Sequence, residues 1–397
     1  MENSNWNEVK LGRFIKVKHG FAFPGSHISD QETDQILVTP GNFHIGGGFK
    51  NSKFKYYNSN DYPESYILKA GDIVVTMTDL SKESDTLGYG AKIPRNNTAK
   101  FLHNQRVGLV EFKEDNEIYN DFVYWVLRTR NYQGYIVGSA SGTSIMHTSP
   151  SRIEDYDFFL PPLPEQKAIA SILSSLDDKI DLLNQQNKTL EALAETLFRQ
   201  WFIEEAKEDW EEVPLSSIAN FLNGLACQKY PAKDSINRLP VLKIKELTAG
   251  ITENSDWATT DVKPEYRVMN GDVIFAWSAS LMVKIWSGED CILNQHLFKV
   301  TSEKYPKWFY YFWCKQHLRE FISIAQSHAT TMGHIKRSDL DEAMVLIPQK
   351  EEIDKITIQM SPILEKIQLN NNQINSLSKL RDTLLPKLMS GEVRVKM

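Results

Sequence analysis

The chain has 397 residues, 41% apolar and 24% charged, which gives room for two or three ordinary globular domains. Its net charge of -6 argues against a uniformly basic nucleic-acid binder. Its cysteines, Cys227, Cys291 and Cys314, lie far apart, which argues against a zinc site or a disulfide framework and fits a reducing cytoplasm; no apolar run is long enough to span a bilayer, and MENSNWNEVK does not read as a signal peptide.

From the N-terminus, short β-like runs at Gln35–Thr39, Phe54–Tyr57, Asp72–Met77 and Arg106–Phe112 alternate with turn-forming Gly, Asn and Asp. With a helical stretch at Tyr119–Thr129 they outline a mixed domain over residues 1–160. Gly46-Gly47-Gly48 reads as a hairpin turn, because it lacks the Lys-Ser/Thr of a phosphate-binding loop. A long helix follows over 161–205, starting at Pro161-Pro162-Leu163-Pro164, where proline is tolerated, and ending in the acidic stretch Glu204 to Trp210. A second mixed domain, 206–347, carries runs at Val241–Ile244, Asp272–Trp277, Met282–Trp286 and Leu297–Val300 and a helix at Lys307–Ser323. A second long helix occupies 348–397, from Pro348 to a stop at Ser390-Gly391, and Pro386 predicts a kink or early end in its last turn.

The two halves repeat each other. Trp6-Asn7-Glu8-Val9 returns as Trp210-Glu211-Glu212-Val213, Gly71-Asp72 as Gly271-Asp272, Asn104-Gln105 as Asn294-Gln295, and His147 as His334. In the helices, Leu173, Leu176, Ile180, Leu183, Asn187, Leu190, Ala194, Leu197 and Trp201 step by four and three. So do Ile356, Met360, Ile363, Ile367, Asn370, Ile374, Leu377, Arg381, Leu384 and Leu388, and a shift of 187 residues (173 to 360) maps one series onto the other. Such steps form a coiled-coil seam, since 3.5 residues per turn keep one stripe facing a partner helix. Opposing Asn187 to Asn370 in an antiparallel pair also sets Leu173 against Leu384, Ala194 against Ile363 and Trp201 against Ile356. The fold class expected is α+β: two similar mixed domains separated by two long antiparallel helices.

The chain resembles the specificity subunits of type I restriction-modification enzymes over essentially its whole length. The resemblance rests on Leu160-Pro161-Pro162-Leu163-Pro164-Glu165-Gln166-Lys167-Ala168-Ile169, on Leu182 to Phe202, and on Leu384-Leu385-Pro386-Lys387-Leu388-Met389-Ser390-Gly391-Glu392-Val393. Ile347-Pro348-Gln349-Lys350 departs from the family's pattern at the second helix start. The resemblance implies two target-recognition domains, each reading half of a bipartite double-stranded DNA site, and a coiled coil that sets the unspecified gap. It further implies two adenine-methylating modification subunits as partners and restriction subunits for cleavage. S-adenosylmethionine, Mg and ATP would then belong to those partners, and this chain would hold no cofactor, no metal and no catalytic residue.

Lysine and arginine fix phosphates, while Arg, Asn, Gln, Ser and Thr read base edges. On that chemistry, the candidates of the first domain are Lys16, Lys18, His19, Lys53, Lys55, Arg95, Asn96, Ser141, Thr143, Ser144 and His147. Those of the second are Lys229, Lys243, Lys245, Ser278, Ser280, Lys284, Thr330, Thr331, His334, Lys336 and Arg337. The bland reading of each is a solvated lysine or a polar connecting loop. An amino-methyltransferase motif of Asn/Asp-Pro-Pro-aromatic type is absent, because Pro161-Pro162 follows Leu160. Two other functions fit the same pattern: a coiled-coil scaffold that binds proteins, and a specificity subunit serving a stand-alone methyltransferase without nuclease.

Overall fold

The computed structural model describes residues 6–79, 81, 84–143, 145–327 and 333–395. The chain divides into two units, Met1–Asp178 with Ser378–Met397, and Lys179–Leu377. The four segments expected from sequence are thus grouped in two, and the boundary falls inside both long helices, Leu163–Arg199 and Lys350–Met389. At 37 and 40 residues these helices measure about 55 and 60 Å. A wider π turn, Gln200–Glu204, finishes the first.

In the first unit, a four-stranded antiparallel sheet runs in the order Ile15–His19, Val107–Phe112, Ile73–Thr76, Gly90–Lys92. The run Ile73–Thr76 is buried throughout, as an apolar run without alternation predicts. A second sheet sets Gln35–Val38 parallel to Lys100–His103. Strand Asn7–Lys10 pairs with Asp157–Leu160, directly before the first long helix. The second unit repeats this plan. Asn220–Asn223, Leu297–Thr301, Val273–Ala276 and Met282–Ile285 form one sheet, Arg238–Leu242 runs parallel to Cys291–Leu293 in another, and Glu211–Pro214 pairs with Met344–Ile347.

The repeated motifs have repeated causes. Asp72 Oδ2 accepts the amide of Lys69 at 2.7 Å and Asp272 Oδ2 that of Met269 at 2.8 Å, so each Asp closes the turn that feeds a buried strand. The preceding Gly71 and Gly271 have φ of 89° and 94°, which only glycine adopts without strain. Trp6 Nε1 donates to Glu165 Oε2 (3.2 Å) and Trp210 Nε1 to Glu352 Oε2 (3.0 Å), latching each domain's first strand to a helix start. Trp125 Nε1 donates to Ser174 Oγ and Trp308 Nε1 to Thr357 Oγ1, both at 3.0 Å. Gly46, Gly47 and Gly48 do form a tight turn, all at positive φ, with His44 N bonded to Gly48 O at 3.0 Å.

Each unit buries one stripe of both helices in its own core. The first gathers Ile169, Leu173, Leu385 and Leu388 with Phe14, Trp125 and Tyr132; the second gathers Ala194, Phe198, Phe202, Met360 and Leu364 with Trp308 and Phe309. Every seam position of the two series is buried or half-buried, while Leu182, Leu193, Ile358, Leu369 and Leu380 beside the seam stay exposed. Within the first unit Asp177 meets Arg381 and Glu165 meets Arg394, so the helices are antiparallel. Within the second, Asn370 Nδ2 donates to Asn187 Oδ1 at 2.9 Å, and Asn187 Nδ2 donates to Asn371 Oδ1 at 2.7 Å. Asn187 therefore faces Asn370, as opposing the two seam asparagines in an antiparallel pair predicts.

Replacing Asn187 with leucine leaves the fully buried Asn370 only the long bond to Gln186 Oε1 at 3.5 Å and lowers stability by about 2 kcal/mol in urea denaturation. Replacing both by leucine recovers that loss but removes the polar pair that fixes register. A single variant as stable as the parent would contradict this account.

Some details differ from expectation. Of the kink or early end expected at Pro386, the early end does not occur: the second long helix runs to Met389, and Ser390 N reaches Pro386 O at 3.0 Å. Leu385 and Leu388, packed in the core on either side, hold the turn against the proline's propensity. Lys307–Ser323 is two helices, Lys307–Gln316 and Leu318–Ser327, parted at His317, whose Nε2 donates to Met344 O at 2.9 Å. Tyr119–Thr129 is a shorter helix, Asn120–Val126, followed by Arg130–Gly138, which Thr129 caps by accepting the Tyr132 amide.

The three cysteines are free thiols, all buried, and all in the second unit. No helix among the described residues is long and apolar enough to cross a membrane.

Candidate nucleic-acid interface

Antiparallel pairing brings the end of one strand beside the start of the next. In the first unit this collects His19 at the end of its strand, Arg106 just before Val107–Phe112, and Met77-Thr78 just after Ile73–Thr76. Thr78 pairs with His147 through the backbone, and its Oγ1 lies 3.1 Å from His147 Nδ1. His147 in turn closes the turn that carries Thr143, by two backbone bonds with Ser141 at 2.8 and 3.0 Å. Below them sits Asp79, a buried carboxylate. Burial alone would raise its pKa, but bonds from Thr86 and Ser81 outweigh that and hold it below the usual carboxylate range. It therefore anchors the loop as an ion that is already satisfied.

The second unit builds the same edge from other residues. Asn223 ends its strand, His296 precedes Leu297–Thr301, and Trp277-Ser278 follow Val273–Ala276. Ser278 forms a β-bridge with His334, and its Oγ lies 3.1 Å from His296 Nδ1. Beneath both edges the turns Asn104-Gln105 and Asn294-Gln295 are fixed alike. Gln105 N bonds Phe21 O (2.9 Å) and Gln295 N bonds Leu225 O (2.8 Å). A Cβ on Gly20 would lie 2.2 Å from Asn104 O, and one on Gly224 would lie 2.3 Å from Asn294 O. Only glycine permits that approach.

Of the residues singled out in sequence, this edge collects His19, Ser141, Thr143 and His147 in one unit and Ser278, Ser280, His334, Lys336 and Arg337 in the other. Ser278 is buried and Arg337 Nη2 donates to Phe221 O at 3.1 Å, so both are partly committed to the fold. Ser144, Thr330 and Thr331 lie outside the described residues. Others sit elsewhere in their units. Lys55 pairs with Asp30 at 2.6 Å and Lys243 with Asp256. Asn96 Oδ1 accepts the amides of Thr98 and Ala99 at 2.9 and 3.0 Å, making it a turn-former. Lys284 Nζ donates to Leu247 O at 3.2 Å, and burial lowers its pKa. Lys18 Nζ lies 5.0 Å over the Tyr66 ring. Lys16, Lys53, Arg95, Lys229 and Lys245 are exposed, with no ion pair or hydrogen bond of their side chains among the described residues, free to meet phosphates.

Sequence reasoning missed Arg106, Asn223, Trp277 and His296. The shift that carries Trp6 onto Trp210 also carries His19 onto Asn223, so the repeat itself held that signal. Among the described residues no group of His, Cys, Asp and Glu could hold a metal ion.

The sequence model of the type I restriction modification DNA specificity domain matches residues 3–192 and again 207–379, one copy for each repeat. The chain belongs to this family. Among curated relatives, the MjaIX specificity subunit of Methanocaldococcus jannaschii is 26% identical over 305 residues, covering 70% of each chain. The MjaVIII specificity subunit of the same organism is 25% identical over 99% of this chain and 94% of that one, and the EcoBI specificity subunit of Escherichia coli is 22% identical over 98% and 87%. The crystal structure of the type I restriction-modification S subunit from M. genitalium shares the fold, with a TM-score of 0.58 at 16% identity over 100% of this chain and 98% of that one. As a specificity subunit the chain is not itself an enzyme, and the duplicated edge is where its two domains offer polar side chains.

Proposed function

We propose that the chain reads a bipartite duplex DNA site, one half with each unit's strand-end edge, and directs adenine methylation or cleavage by partner subunits in the cytoplasm. One observation carries the reading: the same polar edge is built twice, on equivalent strands, with different side chains at equivalent places. Two copies of one frame carrying different side chains suit two half-sites of different sequence, because base edges are told apart by the donors and acceptors set against them. The exposed lysines supply the sequence-independent attraction to phosphates that an overall acidic chain otherwise lacks.

Two modification subunits, holding S-adenosylmethionine, and ATP- and Mg-dependent restriction subunits complete the proposed complex. The exposed Leu182, Leu193, Ile358 and Leu369 of the long helices are apolar surface that such partners can cover.

Methylome sequencing of a host carrying this chain with its modification subunit tests the reading. The expected motif has two specified parts and a fixed gap; methylation without such a motif, or none, overturns it. Inserting four residues into each helix seam adds about 6 Å of helix and lengthens the gap by about two base pairs at roughly 3.4 Å each. Changed half-sites with an unchanged gap would count against the helices as a ruler. Replacing Lys16 with alanine lowers the slope of log affinity against log salt by about 0.9, the loss of one phosphate contact, which gel-shift titration over a salt series measures.

A further inference from the structure

We propose that Asn223 reads one base of the second half-site chiefly as a hydrogen-bond donor, with its amide turned for that purpose by Trp277. The proposal rests on the DNA reading above. Trp277 Nε1 donates to Asn223 Oδ1 at 3.1 Å. An indole nitrogen can only donate, so the atom it holds must be the amide oxygen. Asn223 is exposed, and its Nδ2 has no hydrogen-bond partner among the described residues. The free end of the side chain is therefore an NH2 group.

Trp277 is itself held in place. Its ring stacks on Phe298, with centroids 5.6 Å apart and planes 26° apart, and stands edge-on to His334 at 6.3 Å. Asn223 and Phe298 are register partners on adjacent strands, so one strand pair carries both the amide and the ring beneath its holder. A cavity of about 300 Å³ opens beside them, lined by Asn223, Trp277, Phe298, Ile335, Lys336 and Arg337. Lys336 and Arg337 give that lining two cationic residues, which suits a phosphate-bearing ligand.

An unconstrained asparagine reads adenine with both amide atoms, accepting from N6 and donating to N7. Trp277 takes one of the two lone pairs of Oδ1 and fixes the amide plane, so that two-atom pairing is weakened while Nδ2 stays free to donate. Guanine offers N7 and O6, two acceptors side by side, and fits an NH2 group best. The first unit has His19 and Met77 at these places and cannot use the same device.

The test is methylome sequencing of hosts carrying the chain with its modification subunit, as the parent, Asn223→Asp and Trp277→Phe. In the parent, the second half-site contains guanine at one position. In Asn223→Asp the side chain still accepts from Trp277 but presents an acceptor outward, and preference at that position moves from guanine toward cytosine by about tenfold or more. In Trp277→Phe the oxygen is released and adenine is admitted at the same position. The first half-site and the gap stay unchanged in both. A second half-site without guanine, or one that neither variant alters, overturns the role of Asn223 and leaves the DNA reading standing. Absence of any two-part motif in the parent instead overturns the DNA reading.

Discussion

Replacing Asp177 with alanine lowers the stability of the first unit by about 3–5 kcal/mol, the cost of leaving a buried charge without its partner. Arg128 is only 3% exposed, lies against Tyr124 and Trp125, and donates to Gly46 O at 3.0 Å. Its counter-charge is Asp177, which also takes Arg381 Nη1 at 2.7 Å. Removing the carboxylate strands Arg128 beyond the reach of water, while Arg381 keeps Asp382 at 2.8 Å. Urea denaturation followed by tryptophan fluorescence measures the loss, and a change under 1 kcal/mol would sink the argument. The double variant Asp177→Leu with Arg128→Met should regain most of the stability, because a well-packed apolar pair replaces a buried ion pair at little cost.

Gly224→Ala is the second large effect. The new Cβ would sit 2.3 Å from Asn294 O, and neither the strand end nor the turn can retreat without moving the edge that carries Asn223 and His296. A loss of about 3 kcal/mol is expected, with discrimination in the second half-site degraded while the first is kept. Gly20→Ala, with its Cβ 2.2 Å from Asn104 O, should do the reverse. Gly25→Ala, where nothing lies within 4 Å and φ is ordinary, is the control and should stay within about 0.5 kcal/mol. Melts and methylomes of the three variants decide the matter; equal damage to both half-sites by either edge variant would refute the assignment of one edge to each.

How legible this was from sequence depends on the range of the forces involved. The helix seam was readable because its period is local: Leu173 to Leu183 and Met360 to Asn370 repeat every few residues, and the single asparagine in each seam pointed to the Asn187–Asn370 pairing. The domains were readable as frames, since Gly71-Asp72 and Gly271-Asp272 announce turns whose chemistry is contained in four residues. The interface was not, because it is assembled from strand ends. His19, Met77, Arg106 and His147 are far apart in the chain and meet only through sheet register. Choosing by charge therefore favoured lysines such as Lys55 and Lys243, which the fold pairs with nearby carboxylates. It passed over Trp277 and Asn223, which carry no charge. The Arg128–Asp177–Arg381 group was hidden for the same reason, with Asp177 and Arg381 brought together from the two separate chain segments of the first unit.

The placement of the thiols gives the molecule an internal reporter. Cys227, Cys291 and Cys314 are all enclosed, and all belong to Lys179–Leu377. Alkylation of the native protein can proceed only as fast as that unit opens, and damage confined to the other unit leaves the labelling rate untouched. Mass spectrometry of modified cysteines thus distinguishes which half of the molecule a variant has loosened, without adding any probe.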